Sequence, residues 1–365
     1  MSKIVILSPF YPWKWWISHH TACLADALLK AGKDIHIISF SRQYPKILYP
    51  GNTQKEIGPN QFPNVPVSYL IDTLNPFTWW RAYKFIKKNH YSTFIFKYWH
   101  FYFAPLYIFL SLLLKKQNIK IICIVDNLFS HEKTWLDVFF SKTLFRFVDI
   151  SITQSEIVDN QFMSLFPLKN HFLIRHPVYE HFWQKIDKHQ AQLSLWVPND
   201  KIVLLFFWFI RYYKGLDVLL LSLAKTLKII PNLYLIIAGE CFGDFIKYQK
   251  ILDEYAIDGC IKKYLSYIPN SQIPVFFSAS DFFVMPYRSA TNSGVMEIAK
   301  FYQLPIIASS IEAFKSFSDS DGVSLVDFSD VDQLIRVIEE KNGQKSKSGE
   351  HNSWELFAQS LIKLL

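Results

Sequence analysis

Residues 281–309, DFFVMPYRSATNSGVMEIAKFYQLPIIAS, read as one strand–turn–helix–strand unit. The run FFVM at 282–285 is apolar, has the length of a strand and is closed by Pro286. Thr291, Asn292 and Ser293 are three consecutive residues whose side-chain oxygens can cap a helix N-terminus. Val295, Ile298, Ala299 and Tyr302 then recur at helical spacing, and Pro305 opens a second buried strand. A capped helix start carries unpaired N–H groups and partial positive charge, and Gly294 lets a ligand come close to the backbone. Those are the requirements of a phosphate site. The same pattern also serves as a plain tight turn in any α/β protein.

Outward from this unit the rhythm repeats. Strand patterns fit 201–209, 233–238, 261–265, 282–285, 305–309 and 323–326, with helical patterns between them. Upstream, a strand at 3–8, a loop at 9–16, a helix over 18–31 ended by Gly32 and a strand at 35–40 make a βαβ unit. Further strands fit 119–125 and 149–153, the latter as the last full strand of the first half. Strand–helix alternation twice over predicts an α/β chain with two Rossmann-like domains. The expected division is 1–176, 177–345, and a polar linker with a final helix over 346–365, with the crossing marked by His176-Pro177.

Composition narrows the class. The 365 residues are 50% hydrophobic and 17% aromatic, enough for two substantial cores and unlike a disordered chain. The four cysteines are far apart and form no Cys-x-x-Cys pair, which points to a reducing cytosol and away from structural zinc. The N-terminal MSKIVILSPF is too short an apolar run for a signal peptide. Residues 94–114 are about as long as a membrane span, but Lys97, His100 and Pro105 interrupt them, so a strand followed by a helix is expected. The net charge of +8 suits an anionic membrane surface or a polyanionic substrate, or plain solubility, and no nucleic-acid motif accompanies it. A helix over 75–89 has Trp79, Tyr83 and Ile86 on one face and Arg81, Lys84 and Lys88 on another. That fits either rings at headgroup depth or an ordinary sheet-covering helix.

The unit at 281–309 resembles the donor-site segment of the family 4 retaining glycosyltransferases, which have the two-domain GT-B fold with a cleft between the domains. The resemblance lies in Pro286-Tyr287, the run Thr291-Asn292-Ser293-Gly294-Val295, and Pro305-Ile306-Ile307. It extends to Asp126-Asn127 with His131-Glu132, and to Arg42 in the run FSRQYP at 40–45. The family's two glutamates seven residues apart fall on Thr291 and Ile298, with Glu297 adjacent, so the acidic pair is absent in its usual form. A Gly-Gly pair in the first loop is replaced by Trp15-Trp16 before Ile17-Ser18-His19-His20, and another after the Pro305 strand by 310–313.

The resemblance implies roles. Arg211, Lys214, Glu240, Ile268, Tyr287, Thr291, Asn292, Ser293, Gly294, Val295 and Glu297 would hold the donor. Arg211 and Lys214 sit between a strand and a helix, where a planar fork and a point charge meet diphosphate oxygens. Asp126 and His131 would act as catalytic groups on the sugar or acceptor, while Trp15, Trp16 and His20 would line the sugar or acceptor loop. The pairs Asp319/Asp321 and Asp330/Asp332 read as turn or capping residues. The expected activity is transfer of a sugar, with retention, from a nucleoside diphosphate to a lipid-linked or polysaccharide-precursor acceptor. No metal or other cofactor is called for, and the setting would be peripheral at the inner face of the cell membrane. A nucleotide-sugar epimerase and a catalytically impaired sugar-nucleotide binder are the rival readings.

Overall fold

The computed structural model describes residues 3–14, 16–45, 54–56, 59–129, 134–177, 184–290, 294–315, 317, 321–346 and 353–365. The chain divides into two compact units, residues 1–177 with 352–365, and residues 178–351. Both are parallel α/β sheets, the architecture expected from the repeated strand–helix pattern.

In the first unit the elements run β1 (Lys3–Leu7), α1 (Trp16–Lys30), β2 (Asp34–Arg42), β3 (Val67–Asp72), α2 (Pro76–Lys88), β4 (Thr93–Tyr98), α3 (Ala104–Lys115) and β5 (Lys120–Val125). They continue with α4 (Trp135–Leu144), β6 (Ile150–Thr153), α5 (Glu156–Leu165) and β7 (His171–Leu173), and the unit is completed by α12 (Trp354–Ile362). The sheet order is β3-β2-β1-β4-β5-β6-β7. Strands β1, β4 and β5 are buried on both faces, which explains their unbroken apolar runs. Helices α2 to α5 share one core with β1, β4 and β5, built on Phe94, Phe96, Ile86, Leu110 and Phe162. Helix α12 packs against α1. Two strands escaped the sequence reading. β3 is half-buried at one sheet edge, and β7, which follows β6, has three residues at the other, so neither shows a sustained apolar run.

Residues 94–114 divide between β4 and α3, and among the described residues no helix is long and apolar enough to cross a membrane. Helix α2 begins at an Asn75 cap, whose side chain accepts from the Phe77 N–H. Its Tyr83 and Ile86 lie in the core, and the Trp79 indole N–H donates to the Asp72 carbonyl at 3.0 Å. The rings expected to edge the cationic face are therefore packing residues. Arg42 forms a two-point ion pair with Asp72, a structural tie between β2 and β3.

The second unit runs α6 (Lys188–Ser194), β8 (Ile202–Phe207), α7 (Leu216–Thr226), β9 (Leu233–Ala238), α8 (Ile246–Glu254), β10 (Ile261–Tyr264), α9 (Ile273–Ser278) and β11 (Phe282–Met285). It ends with α10 (Gly294–Phe301), β12 (Ile306–Ser309), β13 (Val323–Val326) and α11 (Val331–Lys341), in the sheet order β10-β9-β8-β11-β12-β13. Asp330 caps α11 by accepting from the Asp332 and Gln333 N–H groups, a structural role for that carboxylate.

Candidate functional site

Strand order fixes where each sheet can bind. In the second unit the chain leaves β8 toward β9 on one side and leaves β11 toward β12 on the other, so the carboxyl ends of β8 and β11 mark the switch point where open α/β sheets place ligands. The loops after them are tightly joined. A one-turn 3₁₀ helix, Tyr212–Lys214, is closed by Gly215 at φ +68°, and a Cβ on Gly215 would stand 1.9 Å from the Pro286 carbonyl oxygen. Only glycine fits that approach. The Arg288 N–H donates to the Tyr213 carbonyl at 2.7 Å, and its guanidinium grips Asp217 at 2.8 and 2.7 Å. Burial raises the Asp217 carboxyl, but the Arg288 bonds outweigh it and hold the group below the usual range.

Lys214 lies at the centre of this joint, 4% exposed, with its Nζ donating to the Tyr287 hydroxyl at 2.8 Å. Burial first, and the nearby Arg211 charge second, bring its pKa down to about 7. The Arg211 guanidinium stacks 4.5 Å from the centre of the Phe242 ring. Gly294 opens α10 and is half-buried, while Val295 is buried. Glu297 pairs with Lys300 one turn on, at 3.3 Å, and Ile298, at the family's second glutamate position, is fully buried. Thr291, Asn292 and Ser293 lie outside the described residues.

A second recess of the same unit is lined by Phe207, Trp208, Phe209, Gly239, Glu240, Tyr267 and Ile268. Its backbone is unusual. Trp208 sits at φ +93°, rare for a bulky residue, and a Cβ on Gly239 would stand 1.8 Å from the Trp208 carbonyl oxygen. Trp208 was not singled out from sequence, where it is one aromatic residue among several at the end of a strand.

In the first unit the corresponding switch lies between β1 and β4. Asp126 follows β5, its N–H donates to the Tyr98 carbonyl at 2.9 Å, and its carboxylate meets the Lys97 Nζ at 3.0 Å. Burial pushes the Asp126 carboxyl up against the pull of Lys97. Burial also pushes Lys97 down, and the second carboxylate oxygen of Asp126 is buried with no partner among the described residues. Lys97, a charge at the end of an otherwise apolar strand, is the residue that sequence reasoning passed over as a functional candidate.

His20 lies within α1 and not in a loop. Its ring meets His176, Trp354 and Phe357 edge-on, at 5.1, 4.8 and 5.5 Å. It is 1% exposed, and burial, helped by Lys97 and His176, holds its pKa well below the ordinary value. In this position it anchors the final helix and is held from the other side by Gln154, at 2.6 Å. Trp15 and His131 lie outside the described residues, and Trp16 is the first residue of α1.

Among known proteins, residues 201–340 match the family model described as glycosyl transferases group 1. A curated relative, an uncharacterized 41.2 kDa protein in the cps region of Klebsiella pneumoniae, is 27% identical over 147 residues. That match takes in 39% of this chain and 37% of the relative, so the chain aligns with little more than a third of its length. Among solved structures, sucrose-phosphate synthase from Thermosynechococcus elongatus superposes with a TM-score of 0.73 at 16% identity, covering 100% of this chain and 98% of that one. Anabaena HepE in complex with UDP and glucose superposes with a TM-score of 0.73 at 13% identity, covering 100% and 99%. At such identities the likeness is one of fold, and that fold is GT-B.

Proposed function

From the match of residues 201–340 to the glycosyl transferases group 1 model, we propose that the protein transfers a sugar, with retention at the anomeric carbon, from a nucleoside diphosphate to a lipid-linked or polysaccharide-precursor acceptor. The observation that carries the reading is Lys214, an ammonium group buried beside Arg211 at the switch point of the second sheet. A buried cation with a depressed pKa is costly on its own and becomes favourable when a polyanion arrives. As the bond from the anomeric carbon to the diphosphate oxygen breaks, negative charge grows on the leaving group. The Lys214 ammonium and Arg211 guanidinium stabilise that charge from fixed positions.

The nucleoside base lies over the shallow recess edged by Trp208 and Glu240, a reading supported by the UDP that HepE binds on the same fold. Asp126 orients the sugar or accepts the acceptor's hydroxyl proton, and burial, which raises its pKa against the pull of Lys97, makes it a better proton acceptor than a free carboxylate. The reading needs no metal ion. The relative encoded in a cps region supports a polysaccharide acceptor, and the cationic first-unit helices support work at an anionic membrane surface.

The test is release of free nucleotide from a panel of nucleotide sugars, with and without a lipid-linked acceptor. Acceptor-dependent release is the expected result. Conversion of the sugar without net release would identify an epimerase, and binding with neither outcome would identify an inactive relative.

A further inference from the structure

Helices α2 and α4 present outer stripes built to one plan, with α3 between them. On α2, Phe77 (81% exposed) and Trp80 (43%) are followed by Lys84 and Lys88. On α4, Trp135 (74%) and Phe139 (55%) are followed by Lys142 and then Arg146. Between them α3 exposes Leu112 and then Lys115 and Lys116. The spacings 77, 80, 84, 88 and 135, 139, 142, 146 each follow one helical face. Ring contacts join the stripes laterally: Trp80 meets Phe109 of α3 at 6.5 Å, and Phe139 meets Phe140, which stacks on Phe101.

The topology gives this plan a direction. All three helices follow parallel strands, so each starts at the carboxyl edge of the sheet and ends at the opposite edge. The rings therefore form a band along the edge that carries Lys97 and Asp126, and the cations form a second band behind it. Within the three helices the one acid is Asp137, which is 1% exposed and held in the α4 capping box. Among the described residues Asp149, which binds Lys115, is the one carboxylate paired with the band. Solvated aromatic rings backed by an excess of lysines match a bilayer interface, where rings sit among headgroups and ammonium groups meet lipid phosphates. The excess positive charge of this face opposes a second copy, which would bring the same charge to the contact.

We propose that this face docks on an anionic lipid bilayer with Phe77, Trp80, Trp135 and Phe139 at headgroup depth, bringing the Asp126 edge of the sheet toward the membrane. The docking stands on the surface alone. Its purpose, to receive an acceptor held by a lipid tail, rests on the function proposed above.

Flotation of the full chain with vesicles of phosphatidylcholine, alone or mixed with phosphatidylglycerol, tests it. Wild type is expected to float with the mixed vesicles and to stay behind with the neutral ones. Phe77→Ser with Trp135→Ser should lower the bound fraction about tenfold, and Lys84→Glu with Lys88→Glu should lower it by a similar factor. Circular dichroism should report unchanged folding in both variants. Nucleotide release with a water-soluble acceptor should stay at the wild-type level, so a failure of docking is read apart from a failure of transfer. Equal binding to neutral and anionic vesicles, absence of flotation, or variants that float like wild type would overturn the proposal. So would a wild-type dimer in solution that the ring variants abolish.

Discussion

Each sheet buries a lysine beside its switch point, and the two are held in opposite ways. Lys97 faces a carboxylate, Asp126, at 3.0 Å, so its charge is balanced within the protein. Lys214 faces a phenol, Tyr287, at 2.8 Å, with Arg211 nearby adding a like charge. Both groups are nearly out of reach of solvent and both are pushed toward neutrality by burial. The partner separates their consequences: the first lysine completes an internal pair, and the second keeps an attraction to spare for an anion from outside.

Substitution should separate the two most sharply in stability. Lys97→Met leaves Asp126 buried and unpaired and should cost about 3–5 kcal/mol by denaturant titration. Adding Asp126→Leu should recover most of that loss, whereas no recovery would show that the two do not act as a pair. Lys214→Met should instead leave the melting temperature unchanged or higher, because a desolvated charge is removed. Its turnover should fall by about 10²–10³-fold, and full activity would remove Lys214 from the mechanism.

A backbone change at the Lys214 joint comes next. Gly215→Ala meets the Pro286 carbonyl and a left-handed φ together, and should cost about 1–3 kcal/mol in a thermal melt. A neutral result would mean that the two loops are less tightly joined than they look.

The effect smallest per step is a pH dependence, about 1.4 kcal/mol for each pH unit. In the unfolded chain the Lys214 amine titrates near its ordinary 10.5, and in the folded chain near about 7. Below pH 7 both states hold the proton and the burial cost is present in full. Between about 7 and 10.5 the unfolded state binds more protons, so stability should rise with pH across that window and lose the rise in Lys214→Met. Donor affinity should move the other way. A diphosphate favours the charged amine, so binding takes up a proton and should weaken up to about tenfold per pH unit above 7. Calorimetry in buffers of different ionisation enthalpy reads that proton directly.

The fold was legible wherever burial on both faces left an uninterrupted apolar run. β9 and β11 fall where 233–238 and 282–285 predict them. β3 and β7 were not legible, because edge strands are only half buried and do not leave such a run. The turn at Arg211 to Gly215 reads directly from a charged pair between a strand and a helix. The burial of Lys214 does not, since it depends on Pro286 and Tyr287, more than seventy residues away. The same limit hid the Lys97 pairing and left open whether Trp79 and Tyr83 face the sheet, as they do, or a membrane. Helical spacing groups residues on a face, but it does not say which face turns to the sheet.

The return of α12 to α1 sets an order of assembly. His20 is closed in by Trp354 and Phe357, which emerge from the ribosome after the whole of the second unit has been made. The part of the chain synthesised first is thus the last to be sealed, and until then it exposes an apolar groove along α1. A chain cut before residue 353 would keep the whole second unit and lose the Trp354 and Phe357 that close over His20.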